Sequence, residues 1–184
     1  SGSCSVCFEK VGEDGVEAGN QAVDLGLLRC RADEHHVVER RDEGAPVDER
    51  GVKCGFQLRL VGETGVVPVL NQIELNPRLQ QAELRALHDR MGIVTQSWTP
   101  LGQGASFGAA PVRAAAARMG KSPAQVILRW HVQLGVSVIP RSTRVAGLTE
   151  NLDVFDVCLT PEDMAAMATL DEGVRCGPDP MTFA

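Results

Sequence analysis

From residue 65 onward, short apolar runs alternate along the chain with stretches whose apolar residues recur at helical spacing. The runs VVPVLNQI (66–73), IVTQSW (93–98) and SVIP (137–140) are rich in β-branched residues and predict strands. Strands that alternate with helices at this spacing predict βα units around a parallel sheet. The predicted helices cover residues 79–91, 111–119 and 123–134, and a last one begins at Pro161.

Capping residues mark the ends of these helices. Ser122 precedes Pro123, and Gln125 can close a capping box with the serine. Thr160-Pro161 repeats the start with proline as the first helical residue. Gly92 and Gly120 follow two helices, at a position where a left-handed backbone is common. The apolar positions predicted to be buried are Leu84, Leu87, Met91, Val126, Ile127, Trp130, Leu134, Met164, Met167 and Leu170.

The first part of the chain has a different character. Residues 31–53 are densely charged and have little apolar periodicity, which favours loop or disorder. Within the first fifty residues, only AVDLGLL (22–28) is a convincing strand candidate. We therefore divide the chain into a divergent, charge-rich N-terminal region, 1–56, and a well-patterned part, 57–184.

Length and composition exclude several classes of protein. The 184 residues suffice for one well-buried domain, and the net charge of −6 argues against nucleic acid as a partner. No apolar run approaches the ~20 residues that span a membrane, and the first residues lack the pattern of a secretory signal. The six cysteines lack disulfide-framework spacing, which favours a cytoplasmic location.

Candidate metal ligands are scattered. Cys4-x-x-Cys7 has no second cysteine pair at a useful spacing, so we predict no metal site. His88 and His131 lie on predicted helices and are expected to be ordinary surface or groove residues.

Polar side chains follow three predicted strands, at the ends where α/β proteins place ligands. Gln72 either binds a ligand amide or faces solvent, and Trp98 either offers a flat face to an aromatic ring or fills the core. Gly102-Gln103-Gly104 either allows a close approach to a pyrophosphate or forms a plain turn. Arg141, followed by Ser142, suits a phosphate monoester; the alternative is a solvated basic loop.

Five collinear segments resemble the C-terminal part of an aldo-keto reductase, most closely the bacterial 2,5-diketo-D-gluconate reductases. They are NQIELNP (71–77), SWTPLGQG (97–104), KSPAQVILRW (121–130), VIPRS (138–142) and ENLDVFD (150–156). The resemblance covers about 57–184, and weakly 22–56. It implies an incomplete (β/α)8 TIM-type barrel with strands four to eight assignable, and NADPH-dependent reduction of a small carbonyl substrate to an alcohol.

The resemblance also implies an NADPH site. Gln72 would hold the nicotinamide carboxamide and Trp98 would stack on the nicotinamide ring. The remaining contacts would be Leu101 and Gln103 along the pyrophosphate, Arg141, Ser142 and Thr143 at the adenosine 2′-phosphate, and Glu150 and Asn151 at the adenine.

Four departures from the family pattern imply that catalysis is impaired. Gly147 replaces an arginine of the phosphate clamp, and Arg29 stands where the catalytic histidine is expected. GVKCGF (51–56) corresponds loosely to the next strand but lacks its Ser-Asn pair. The chain contains no tyrosine, the proton donor of the family, and the supporting lysine and aspartate are not found. Three alternatives stay open: a reductase that uses another acid, a non-catalytic NADPH-binding remnant, or a truncated or frame-disrupted product.

Overall fold

A computed structural model describes residues 55–179 of the chain. Its helices are α1 (Gly55–Thr64), α2 (Ala82–Met91), α3 (Ala110–Met119), α4 (Pro123–Gln133), α5 (Val145–Leu152) and α6 (Pro161–Ala168). Its strands are β1 (Leu70–Glu74), β2 (Val94–Trp98) and β3 (Ser137–Val138), and a short 3₁₀ helix covers Gly102–Gly104.

The three strands form one parallel sheet in the order β1-β2-β3. Gln72 pairs with Gln96, and Gln96 pairs in turn with Ser137, so these three residues lie in one row across the sheet. The parallel α/β architecture predicted from the alternation of patterns is therefore confirmed.

The two faces of the sheet differ in burial. Side chains alternate between faces along a strand, so Ile73 and Leu75 point to the face opposite Gln72. Ile73 and Leu75 are buried in the core beneath the helices, whereas Gln72 and Ser137 are exposed. Helices thus cover one face, and the other carries an open row of polar side chains.

The core lies between the sheet and the helices α3, α4 and α6. Val126, Ile127 and Trp130 of α4 are buried to 1% exposure or less, as the helical stripe predicts. Leu134 and Leu170 pack against the core while partly exposed. None of the helices in the described range is long and apolar enough to cross a membrane.

The predicted helix caps are confirmed. The Ser122 hydroxyl accepts a hydrogen bond from the Gln125 backbone N–H, and the Gln125 side chain accepts one from the Ser122 backbone N–H. Thr160 forms the same capping box at the start of α6. Gly92 follows α2 with φ +69° and Gly120 follows α3 with φ +64°, both in the left-handed region.

Several predicted elements differ from the observed ones. Residues 55–56, which the sequence assigns loosely to a strand at 51–56, begin helix α1 instead. The rest of that segment, the strand candidate at 22–28 and Arg29 lie outside the described residues. Helix α2 begins at Ala82 rather than near Leu79, because the preceding residue takes a left-handed conformation that no helix can include.

Candidate cofactor site

A cavity of about 430 Å³ opens where the loops after β2 and β3 meet. These loops follow the carboxyl ends of neighbouring parallel strands, so they lie at the same edge of the sheet. The cavity brings together three of the residues predicted for a cofactor, namely Leu101, Gln103 and Arg141. Its other lining residues are Thr99, Pro100, Gly104, Phe107, Ile139 and Pro140.

The loop after β2 contains four residues with a left-handed backbone. Thr99, Gly102, Gln103 and Gly104 have φ values of +54°, +53°, +53° and +84°. The Gly102 and Gly104 backbone N–H groups donate to the carbonyl oxygens of Thr99 and Leu101 at 2.9 and 2.8 Å, which closes two tight turns. Such a backbone lets a ligand approach closely, although Gln103 costs more in this region than glycine.

Packing at position 102 also leaves little room for a side chain. A Cβ atom there would lie 3.2 Å from the side-chain Oδ1 of Asn76, which is buried at the end of β1. The Asn76 Oδ1 already accepts a hydrogen bond from the Arg78 backbone N–H at 3.0 Å. The loop after β2 therefore packs against the residues that follow β1.

Hydrogen bonds between residues of the loop after β3 hold that loop in place. The Ser142 hydroxyl accepts from the Arg144 N–H at 3.2 Å and donates to the Arg144 carbonyl oxygen at 3.0 Å. Gly147 is buried beside it, and a Cβ atom at Gly147 would overlap the Ser142 Oγ. A side chain at position 147 would therefore require the Ser142 hydroxyl to move.

Gln72 and Trp98 lie outside the cavity, on the open face of the sheet. Gln72 donates to the Gln96 side chain at 2.7 Å, and Gln96 donates to the Ser137 hydroxyl at 3.3 Å. Trp98 is half-buried at the end of β2, with the edge of its ring against Gly177. Both side chains present polar or aromatic surface to the same space.

The remaining predicted contacts are peripheral. Thr143 and Glu150 are exposed and Asn151 is half-buried, and none of the three lines the cavity. Their assignment to the cofactor stays a prediction.

The prediction for the two histidines was wrong. His88 and His131 are both fully buried. His88 lies 3.0 Å from the Asn71 amide and 2.8 Å from the Thr95 hydroxyl, and burial lowers its pKa. Both histidines are structural groups between helices and sheet. Between residues 55 and 179, no group of three or more histidine, cysteine or acidic side chains could hold a metal ion.

Glu74 is a residue that the sequence reasoning missed. Its side chain is fully buried at the end of β1, where it contacts backbone N–H groups of residues 176 and 177. Its place in the run NQIELNP, two residues after Gln72, was the available signal, because both side chains then point to the same face of the strand.

Comparison with known proteins shows what the chain resembles. Residues 57–172 match the model of the Aldo/keto reductase family. An aldo-keto reductase of Mycolicibacterium smegmatis is 49% identical over 124 residues, covering 67% of this chain and 45% of that protein. The methylglyoxal reductase DkgA of Escherichia coli is 43% identical over 175 residues, covering 88% and 63%.

Solved structures give the same result. A variant of Gox0644 in complex with NADPH has a TM-score of 0.67 and 44% identity, over 70% of this chain and 48% of that one. A candidate 2,5-diketo-D-gluconic acid reductase B has a TM-score of 0.57 and 33% identity, over 61% and 41%.

The chain belongs to the aldo/keto reductase family. Its described part is a portion of the (β/α)8 barrel of that family, which confirms the resemblance drawn from its motifs. The chain spans about half the length of most of these relatives.

Proposed function

We propose that this chain binds NADPH through the cavity and the open face of the sheet, as the cofactor-binding part of a carbonyl reductase. The observation that carries the proposal is the cavity itself, because two loops distant in sequence bring Leu101, Gln103 and Arg141 to its wall.

The residues present suit the phosphate groups of the cofactor. The exposed guanidinium of Arg141 supplies a planar fork of donors that matches phosphate oxygens. Gly104 lines the cavity and leaves out a side chain where a pyrophosphate would approach the backbone. A 2′-phosphate at Arg141 would favour NADPH over NADH.

The open face suits the nicotinamide end. The Trp98 ring is half-buried and therefore accessible for stacking, and the exposed Gln72 amide can donate to or accept from a carboxamide. Gln72 would exchange its bond with Gln96 for one with the ligand. The row of polar groups would thus orient the ring.

The chemistry of carbonyl reduction needs two groups. A bound nicotinamide supplies the hydride, and a general acid must protonate the developing alkoxide. The sequence contains no tyrosine, and guanidinium groups such as that of Arg29 do not readily release a proton. We therefore propose that this chain alone reduces carbonyls poorly.

The expected substrate is a small carbonyl compound in the cytoplasm. The relative DkgA is named a methylglyoxal reductase, so methylglyoxal and 2,5-diketo-D-gluconate are the first substrates to test. The second candidate function is NADPH binding without catalysis. The lack of a tyrosine, the proton donor of the family, favours it over a fully active enzyme, whereas Gly147, where the family has a clamp arginine, would weaken NADPH binding in either case.

A titration of the purified chain with NADPH tests the proposal. Energy transfer from tryptophan to the dihydronicotinamide should give a saturable signal that Trp98→Phe reduces. Turnover of methylglyoxal under the same conditions then separates a reductase from a non-catalytic binder. A signal that does not saturate up to millimolar NADPH contradicts both functions and favours a truncated or frame-disrupted product.

A further inference from the structure

Glu74 is a buried carboxylate with no place in the proposed cofactor contacts. It is the last residue of β1, its side chain is fully buried, and it pairs in register with Trp98 of β2. A carboxylate is costly to bury unless hydrogen bonds compensate for the lost water. Its partners therefore indicate what it does.

Those partners are backbone groups of one segment. The Cys176 N–H donates to Glu74 Oε1 at 2.5 Å, and the Gly177 N–H lies 3.3 Å from Oε2 and 3.4 Å from Oε1. The Arg175 guanidinium lies 3.9 Å from Oε2 and contributes a favourable charge. Hydrogen bonds to an ionised acceptor are about twice as strong as neutral ones.

The segment that Glu74 binds is residues 171–179, here called the strap. Its first half is tied to the residues after β1, since the backbone N–H groups of Glu172 and Val174 donate to the Arg78 carbonyl oxygen at 3.0 and 3.1 Å. The Arg78 side chain also binds the Glu172 carboxylate at 2.6 Å. The Glu74 side chain binds the backbone of the second half.

The second half of the strap touches Trp98. A Cβ atom built on Gly177 would lie 2.5 Å from Cη2 and 3.2 Å from Cζ3 of the Trp98 ring. Real side chains do not approach so closely, so position 177 needs glycine. The same Cβ would lie 3.5 Å from Glu74 Oε2, which places carboxylate, glycine and indole in one contact.

We propose that Glu74 is a positioning residue for Trp98. By binding the N–H groups of residues 176 and 177, it presses the Gly177 backbone against the edge of the indole and restricts the ring to one orientation. The relevance to the cofactor rests on the proposed function, in which Trp98 stacks on the nicotinamide. A ring that is already ordered loses less side-chain freedom on binding.

Fluorine NMR of the full chain labelled with 5-fluorotryptophan tests this directly. The chain has two tryptophans, so Trp98 and Trp130 give two signals, which Trp98→Phe assigns. Glu74→Gln keeps the shape of the side chain but removes its charge and one acceptor oxygen. We expect the Trp98 signal to shift or broaden in Glu74→Gln while the Trp130 signal, from the core, stays in place.

Three further variants sharpen the test. Gly177→Ala places a methyl group against the ring, so it should also move the Trp98 signal and tests the contact between the strap and the indole. Glu74→Asp, which shortens the side chain and withdraws the carboxylate, takes the place of Glu74→Gln if that variant does not fold. Glu172→Gln removes another carboxylate of the strap, one that is 53% exposed, and should leave the Trp98 signal unchanged. An unaltered Trp98 signal in the folded Glu74 variant overturns the proposal, whatever Gly177→Ala does.

NADPH affinity gives the second readout. We expect Glu74→Gln to weaken NADPH binding roughly three- to tenfold, the factor that corresponds to ordering one more side chain. Equal affinity of wild type and Glu74→Gln overturns the positioning role for the cofactor. Failure of the wild-type chain to bind NADPH contradicts the proposed function instead, and the fluorine signals then still decide whether Glu74 orders Trp98.

Discussion

The Nε2 atom of His131 lies 3.2 Å from the carbonyl oxygen of Leu75, and its Nδ1 atom lies 2.8 Å from the carbonyl oxygen of Ile127. Both partners are acceptors. Burial lowers the pKa of His131 to about 4, so the ring is neutral at pH 7 and donates only one of the two hydrogen bonds. The histidine thus joins α4 to the end of β1 without a buried charge.

Stability should therefore depend on pH. The unfolded chain binds a proton at His131 below about pH 6.5, whereas the folded chain binds one only below about pH 4. The free energy of unfolding should fall as the pH drops from 6.5 to 4, with a contribution from His131 of about 3 kcal/mol. Urea unfolding at several pH values in this range measures the slope.

His131→Gln is the matched variant for that slope. Glutamine can still donate to one carbonyl oxygen but does not titrate, so the pH dependence should become shallower even though the variant is less stable at pH 7. The buried His88 is present in both proteins, and its contribution cancels in the comparison. If the free energy of unfolding depends on pH equally in the wild type and in His131→Gln, the pH dependence does not come from His131.

The contact between Ser142 and Gly147 predicts that the effect of Gly147→Ala on stability depends on the residue at position 142. Gly147 lies in α5, where alanine is favoured over glycine by about 1 kcal/mol. Since a Cβ atom there overlaps the Ser142 Oγ, Gly147→Ala alone should lower the free energy of unfolding. In the Ser142→Ala background the loss should be smaller, because only the Cβ atom of residue 142 then lies close to the new methyl group, at 3.3 Å. Thermal unfolding of the four proteins decides, and an identical effect in both backgrounds would count against the contact.

The capping box at the start of α4 should be measurable. Ser122→Ala removes the acceptor for the Gln125 backbone N–H and should lower the free energy of unfolding by about 1 kcal/mol. Thr149→Ala is the control, because that exposed hydroxyl bonds only back to Val145 within α5. The control should change stability by no more than about 0.5 kcal/mol. If Ser122→Ala and Thr149→Ala shift the denaturant midpoint equally, the Ser122 cap does not stabilise the protein.

Arg141 should set the preference for the phosphorylated cofactor. Arg141→Ala is expected to weaken NADPH binding by about tenfold or more, because a charge-assisted bond is lost, and to affect NADH much less. Arg113→Ala on the exposed face of α3 is the matched control and should bind like the wild type. Fluorescence titrations with both nucleotides measure the two affinities. A parallel loss for NADPH and NADH would exclude a 2′-phosphate contact.

An apolar stripe on and after α5 should promote self-association. Val145, Leu148, Leu152 and Phe155 are 81%, 49%, 72% and 64% exposed. Contiguous apolar surface of this kind favours association in water. Sedimentation velocity should show a coefficient that rises with concentration, and the rise should shrink in Leu152→Lys with Phe155→Ser. Ala114→Lys, on the exposed face of α3, should leave the concentration dependence of the sedimentation coefficient unchanged. If Ala114→Lys weakens this dependence as much as the double variant does, the added charge and not the apolar stripe explains the effect.

Local signals predicted the elements well because their causes lie within a few residues. The capping box at Ser122 involves a partner three positions away, so composition and spacing suffice. The start of α2 was missed for the opposite reason. The Gln80 side chain donates to the Met167 carbonyl oxygen at 2.8 Å, and Gln81 donates to that of Glu74, so both residues serve tertiary contacts instead of the helix.

By itself, the sequence determined the alternation of strands and helices from residue 65 onward, the capped start of α4, the glycines that end α2 and α3 and, through its motifs, the family. These depend on neighbours along the chain. Only the tertiary structure decided that Leu101 and Arg141 share a cavity, that His131 is buried against Leu75, and that Glu74 binds a strap 102 residues away. Such contacts form when distant segments pack together, and no local pattern records which partner a buried polar group will meet.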